Sequence, residues 1–167
     1  MKYKIMIVIG ILVLVILLFL LFNYLKKRSV IISGVKYFNY SYTVGYHYEA
    51  SVVYKFELNN NEYSVIIKDE GKGLEDASQY DVDKDFAKKL ENILNKYKIN
   101  SWDGFQKSNK NVLDGNSFDL YIKFNNKSIS ASGYMKWPRD YDLFKSDINE
   151  LFSELRNWRW FYENIEK

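Results

Sequence analysis

From Ile5 to Phe22 the chain runs for eighteen residues with no charge, no proline and no polar side chain, and Gly10 is the one glycine among them. At about 1.5 Å per residue, a helix of that length reaches roughly 27 Å, close to the ~30 Å hydrocarbon core of a bilayer. Sixteen of the eighteen are Ile, Leu, Val or Phe, each favouring lipid by about 0.3–0.6 kcal/mol on insertion scales. Lys2, Lys4, Lys26, Lys27 and Arg28 flank the run, and Tyr3 and Tyr24 stand where interfacial rings belong. The pattern predicts one transmembrane helix, with residues 1–28 as a membrane anchor and 29–167 as a single α+β domain. A cleavable signal peptide competes for the same residues. Its apolar part is shorter, about 7–15 residues, and ends in small side chains, whereas Asn23-Tyr24-Leu25-Lys26-Lys27-Arg28 comes next here.

Lys and Arg near the span almost balance across it, so the positive-inside rule barely discriminates. A hydrophobic segment at an N-terminus commonly exports the domain behind it, and the expected location is the cell membrane with the domain extracytoplasmic. Five of the 24 basic residues lie in the first 28 positions, and all 21 acidic residues lie beyond them, leaving 19 basic against 21 acidic in the domain. A near-neutral domain without a basic cluster lacks the footprint that phosphate binding needs, which argues against a nucleic-acid partner. The chain has no cysteine, so disulfides, thiolate chemistry and lipoprotein-type acylation are excluded.

From about Val30 to Glu70 the chain alternates with period two. Phe38, Tyr40, Tyr42 and Val44 form one set; Val52, Tyr54, Phe56 and Leu58 a second; Tyr63, Val65 and Ile67 a third after the Asn59-Asn60-Asn61 turn. Such alternation in aromatic and β-branched residues is an antiparallel meander. Gly71, Gly73 and the Glu75-Asp76 stretch read as a loop. The period then changes: Val82, Phe86, Leu90, Ile93, Leu94 and Tyr97 place an amphipathic helix near 83–98, with Asp81, Asp83 and Asp85 at its positive end. Phe118, Leu120, Ile122 and Phe124 alternate again, and Asn125-Asn126-Lys127 turns into Ser128–Tyr134 as a hairpin. Asp140 is placed to cap a last helix carrying Leu143, Phe144, Ile148, Leu151, Phe152, Leu155 and Trp158. The expected order is βββ-α-ββ-α, an antiparallel sheet packed on one face by two helices.

Constellations that carry chemistry are scarce. His47 is the only histidine, with no nucleophile or ligand partner placed beside it, and reads as a strand histidine. Asp81-x-Asp83-x-Asp85 resembles the start of a calcium loop, but Phe86 stands where Gly is needed and Asn92 where a bidentate Glu is needed. Helix capping is the plainer reading. No metal site and no cofactor is expected. Gly71-Lys72-Gly73 has the wrong spacing for a phosphate loop. The terminal Arg156-Asn157-Trp158-Arg159-Trp160-Phe161-Tyr162 holds more aromatic surface than one helix face buries, and suits packing on the sheet, a membrane interface or a partner.

The distinctive stretch is Trp102-Asp103-Gly104-Phe105, then Val112-Leu113-Asp114-Gly115, then Ser130-Ala131-Ser132-Gly133-Tyr134-Met135-Lys136-Trp137-Pro138. Over roughly 95–145 it resembles an uncharacterised family of Gram-positive bacterial proteins with the pattern W-x-G-F, V-L-D-G, S-A-S-G-x-M-x-x-P. That resemblance implies shared architecture and no catalytic residues. Gly104 and Gly115 follow Asp, a turn pair that permits positive φ, and Gly133 suits a close backbone or ligand approach. Trp102, Phe105 and Trp137, with Asp103, Asp114 and Arg139 as polar contacts, are the candidate binding groove for a sugar or peptide of the envelope. Filling the core between sheet and helices is the plainer role for the rings.

These observations point to a single-pass, membrane-anchored, non-enzymatic binding or scaffolding module at the cell envelope, contacting membrane lipid through its N-terminal helix and an envelope ligand or membrane-protein partner through its domain. The alternatives are a hydrolase or transferase using carboxylates such as Asp103 and Asp114 on envelope polymers, and a cytoplasm-facing partner protein.

Overall fold

The computed structural model describes residues 2–28, 30–45, 51–69 and 77–165, with backbone alone for 2, 4, 5, 8, 25–28 and 157–165. His47, the Gly71-Lys72-Gly73 and Glu75-Asp76 stretches, and the side chains of Ile5 and of the terminal aromatics beyond Arg156 lie outside the described residues. The chain divides into two compact units, 1–31 and 32–167.

The first unit is one helix, α1 (Lys2–Arg28). Its side chains are exposed without a break from Ile9 to Tyr24. Among the described residues, however, no helix is long and apolar enough to cross a membrane. The expectation of a transmembrane helix over Ile5–Phe22 is corrected accordingly.

The second unit is a seven-stranded mixed sheet with helices on one face. Strands β1 (Val35–Thr43), β2 (Ser51–Asn59), β3 (Glu62–Asp69) and β4 (Ala77–Val82) precede helix α2 (Lys84–Lys96). A 3-10 turn (Ile99–Trp102), β5 (Phe105–Ser108), β6 (Ser117–Phe124), β7 (Lys127–Tyr134) and helix α3 (Tyr141–Ile165) complete it. The strand order is β4-β3-β2-β1-β6-β7-β5. All neighbours are antiparallel except β5, which runs parallel to β7. The meander and the second hairpin therefore form as the alternation predicts, joined through β1 and β6.

Two elements depart from the expected βββ-α-ββ-α order. Strand β4 is an edge strand whose alternation is short, with Tyr80 and Val82 half-buried between exposed Gln79 and Asp81, and it uses Asp81 and Val82, which the helical spacing had claimed. Strand β5 is four residues long and holds its place by pairing with β7, a partner more than twenty residues away. Neither signal is local.

Phe38, Tyr40, Tyr54, Phe56, Val65, Ile67, Phe118, Leu120, Ile122 and Ile129 point to the covered face and are buried. A bulge between Val35 and Tyr37 lets Val35 and Phe38 both face inward. Helix α3 supplies Phe144 and Phe152; the Phe152 ring lies 4.5 Å from Tyr54, 5.4 Å from Phe86 and 5.9 Å from Phe38. Phe144 meets Tyr40 edge-on at 5.6 Å. The Tyr40 and Tyr141 hydroxyls satisfy one another at 2.9 Å, and burial pushes both phenols up. Offset and edge-on ring pairs of this kind add about 0.5–1.5 kcal/mol each beyond burial.

Asp83 caps α2 as its composition predicts, its Oδ1 accepting from Asp85 N (3.0 Å) and Phe86 N (2.9 Å). Asp140 behaves differently from a side-chain cap. Its φ is +61°, its backbone carbonyl accepts from Phe144 N at 3.0 Å, and its carboxylate faces Arg139 Nε at 3.5 Å. Helix α2 also grips the chain entering β1: Asn95 exchanges two hydrogen bonds with the Ile32 backbone (2.8 and 2.7 Å), and Glu91 accepts from Val35 N at 2.9 Å.

Asp147 ties α3 to α2, its Oδ2 accepting from Lys96 Nζ at 2.7 Å and Tyr97 Oη at 2.8 Å. The Lys96 ammonium, then the Tyr97 hydroxyl, hold the Asp147 carboxyl below its ordinary 3.8. A carboxyl depressed by folding contributes stability that is present above the unfolded value and lost as pH falls through the folded one. Urea unfolding of wild type and Asp147→Asn should thus differ by a constant amount above about pH 4 and converge on further acidification. A difference that persists unchanged at about pH 2 would assign the effect to packing instead.

Candidate functional site

The motif-bearing residues gather at one end of the sheet, around β5, β6, β7 and the start of α3. Trp102 descends from the 3-10 turn into the core and is 3% exposed. Its ring lies 5.1 Å from Phe144 and 6.1 Å from Tyr141. Trp137 is half-buried, stacks on Tyr141 at 4.6 Å and lies 5.7 Å from Phe118. Phe105 reaches the same Phe118 ring at 6.3 Å. The three rings chosen for a groove therefore converge around Phe118 and Tyr141, and Trp102 is part of the packed core.

The polar members are placed apart from one another. Asp103 Oδ1 accepts from Ser130 N at 3.2 Å, while Gly104 N donates to Ser130 O at 2.8 Å, so this turn is stitched to β7. Gly104 has φ +75° with open space around it, as the turn reading predicts. Gly115 serves a different need, since a Cβ there would collide with the Met135 side chain. Asp114 and Arg139 stand exposed. The Tyr134 hydroxyl accepts from Gly115 N (2.8 Å) and faces the Leu113 carbonyl at 2.7 Å, pinning the loop that leaves Leu113 94% exposed.

A shallow depression of about 390 Å³ opens beside this end, bordered by Gln106, Lys107, Ser108, Ser117, Asp119, Ser132 and Tyr134. It lies on the face of the sheet that the helices leave uncovered. Register explains its shape. Gln106 pairs with Ser132 and Ser132 with Asp119, so these three share one row across β5, β7 and β6. Along β7 the outward positions are Ser128, Ser130, Ser132 and Tyr134, and of these Ser132 and Tyr134 border the depression. On the β6 side Tyr121 stands opposite Ser130, its ring set edge-on against Tyr37 at 5.9 Å. Ser132 falls within the motif noticed in the sequence; Gln106, Asp119 and Tyr121 belong to no motif, and only the triple alternation of serine along β7 hints at them.

A second depression of about 460 Å³ lies where β4, α2 and α3 meet, bordered by Asp81, Asp83, Asp85, Lys89 and Glu154. Asp83 is committed to its cap, and Glu154 accepts from Lys89 Nζ at 3.0 Å. Among the described residues no group of three or more His, Asp or Glu could hold a metal ion. At the far end of β3, Arg156 pairs with Asp69 at 2.8 Å.

No family profile matches the chain, and no curated protein matches it either.

Proposed function

We propose that this chain is a non-enzymatic binding module of the cell envelope, its domain on the outer side of the membrane and its apolar helix in contact with lipid. The observation that carries the reading is the uncovered sheet face, whose depression collects polar side chains from three adjacent strands. Small polar groups converging on a preformed hollow are what ligand recognition requires. The carboxylates of the hydrolase alternative have other work or none: Asp103 secures a turn, and Asp114 stands exposed on a loop. The exposure of apolar side chains from Ile9 to Phe22 supports the lipid contact, because such a surface in water costs about 25 cal/mol per Å².

Co-sedimentation of the full chain with insoluble cell-wall material tests the binding. Saturable capture is expected, without release of soluble fragments and unaltered in the Asp103→Asn/Asp114→Asn double variant. Fragment release that stops in that variant would replace the reading with the hydrolase. Protease added to intact cells should remove the domain; a protected domain would favour the cytoplasm-facing partner.

A further inference from the structure

We infer that copies of this domain associate head to tail, the Leu113 loop of one seating in the hollow where β4, α2 and α3 meet in the next. The contact is separate from the ligand reading above. Among the large apolar side chains described in the domain, Leu113 and Leu143 are the exposed ones, at 94% and 60%. The loop that carries Leu113 is held in place. Asn109 N donates to the Tyr134 carbonyl at 2.9 Å, Met135 N to the Asn116 carbonyl at 2.9 Å, and Gly45 N to Asn116 Oδ1 at 3.1 Å. A Cβ at Gly45 would strike the Gly115 backbone, so a second segment backs the loop closely. Met135 adopts φ +51°, a left-handed conformation unfavourable to a residue with a Cβ, and Asn116 N donates to its Sδ at 3.2 Å. Hydrogen bonds and backbone strain that hold an apolar side chain out in water make a preorganised contact, which binds without an ordering cost.

The hollow suits such a knob. Its floor is Val82, Phe86 and Leu155, and at about 460 Å³ it has room for a leucine side chain. Its rim sets Asp81, Asp83, Asp85 and Glu154 against Lys89. Asp85 and Glu154 face Lys88 and Lys89, while Asp81 has no ion-pair partner among the described residues. The loops beside Leu113 carry Lys110, Lys136 and Arg139 against Asp114 and Asp140, with Lys107 and Asp119 on the adjoining strands. Arg139 faces Asp140 at 3.5 Å, and Lys110 and Lys136 have no ion-pair partner among the described residues. An apolar tip with an excess of cations thus matches an apolar floor with an excess of carboxylates, and opposite charge fixes their register. The two surfaces cannot meet within one molecule. The tip lies beside β5 and the hollow beside β4, the opposite edges of a seven-stranded sheet. Strand spacings of about 4.8 Å put those edges roughly 29 Å apart. The occupant is therefore a second copy. A contact between two different patches leaves a free tip and a free hollow at its ends, so it propagates into a ring or a filament.

Because the chain has no cysteine, introduced thiols test the arrangement in the detergent-held full chain. Asn111→Cys, exposed beside the tip, and Lys89→Cys, at the hollow, are combined in one chain and treated with a short bis-maleimide. A ladder of dimers, trimers and higher species is expected, and neither single variant should dimerise, because the contact joins unlike patches. Adding Leu113→Asp, a change at an exposed position that spares the fold, should abolish the ladder. Adding Asp81→Lys should reduce it about tenfold. Placing the first thiol at Lys127→Cys instead, in the exposed turn between β6 and β7, should give no ladder. In sedimentation velocity the wild-type chain should grow in size with concentration, and Leu113→Asp should not. A ladder that survives Leu113→Asp, or dimers of the Asn111→Cys variant alone, would overturn the head-to-tail contact. So would wild type and Leu113→Asp sedimenting alike, whether both stay monomeric or both associate through another surface.

Discussion

Replacing Gly133 with alanine should destabilise the domain by about 3 kcal/mol, lowering the unfolding midpoint by about 10 °C. A Cβ built at this position would run into the Lys136 carbonyl oxygen and lie 2.6 Å from Phe118 Cε1. The first obstacle is backbone, which cannot swing aside. The second is the ring at the centre of the aromatic end, packed by Tyr141 at 4.6 Å and by Trp137 and Phe105. Inserting even one methyl group must therefore shift either the turn after β7 or the Phe118 cluster, and overpacking of this kind costs about 1–3 kcal/mol, occasionally more. Thermal unfolding of the full chain followed by near-ultraviolet circular dichroism reads the effect on these rings directly. A change below about 0.5 kcal/mol would mean that the approach of the Lys136 carbonyl to β7 relaxes freely.

Trp102→Ala is expected to cost about 3–5 kcal/mol, the range for emptying a large aromatic site in a core. At 3% exposure and in contact with Phe118, Tyr141 and Phe144, this ring is a structural wedge between the 3-10 turn and α3. The same measurement on Leu113→Ala should give a change within about 0.5 kcal/mol, because that side chain is 94% exposed. The pair separates core from surface within the sequence motif. Were Trp102→Ala to leave stability intact and only weaken ligand binding, the groove would have to be reinstated.

The aromatic motifs thus divide into two roles that share one stretch of sequence pattern. In S-A-S-G, Ala131 and Gly133 are buried on the helix side, while Ser130 and Ser132 line the open side. A period of two makes this unavoidable: alternate residues on a strand cannot serve the same face. The core-facing half is selected for fit, the outward half is free to be selected for ligand.

Much of the architecture is written locally. Alternation in Phe38–Thr43, Ser51–Leu58 and Phe118–Phe124 requires strands with one buried face, and the spacing of Phe86, Leu90 and Leu94 requires a helix with one buried stripe. Asp83 caps that helix through its own neighbours, so its role needs nothing beyond the sequence. Strand β4 lay hidden because its half-buried side is only Ser78, Tyr80 and Val82, and Val82 also fits the helical spacing that follows. Strand β5 lay hidden because four residues form a strand only where another strand is waiting for them. Whether Trp102 lined a groove or filled the core depended on which helix closed over it, and whether Ser132 bordered a depression depended on what stood beside it in register. Both are relations between residues distant in the chain. Period and capping are properties of neighbours along the backbone, legible one segment at a time; a site is made by neighbours across strands, and only the assembled sheet decides those.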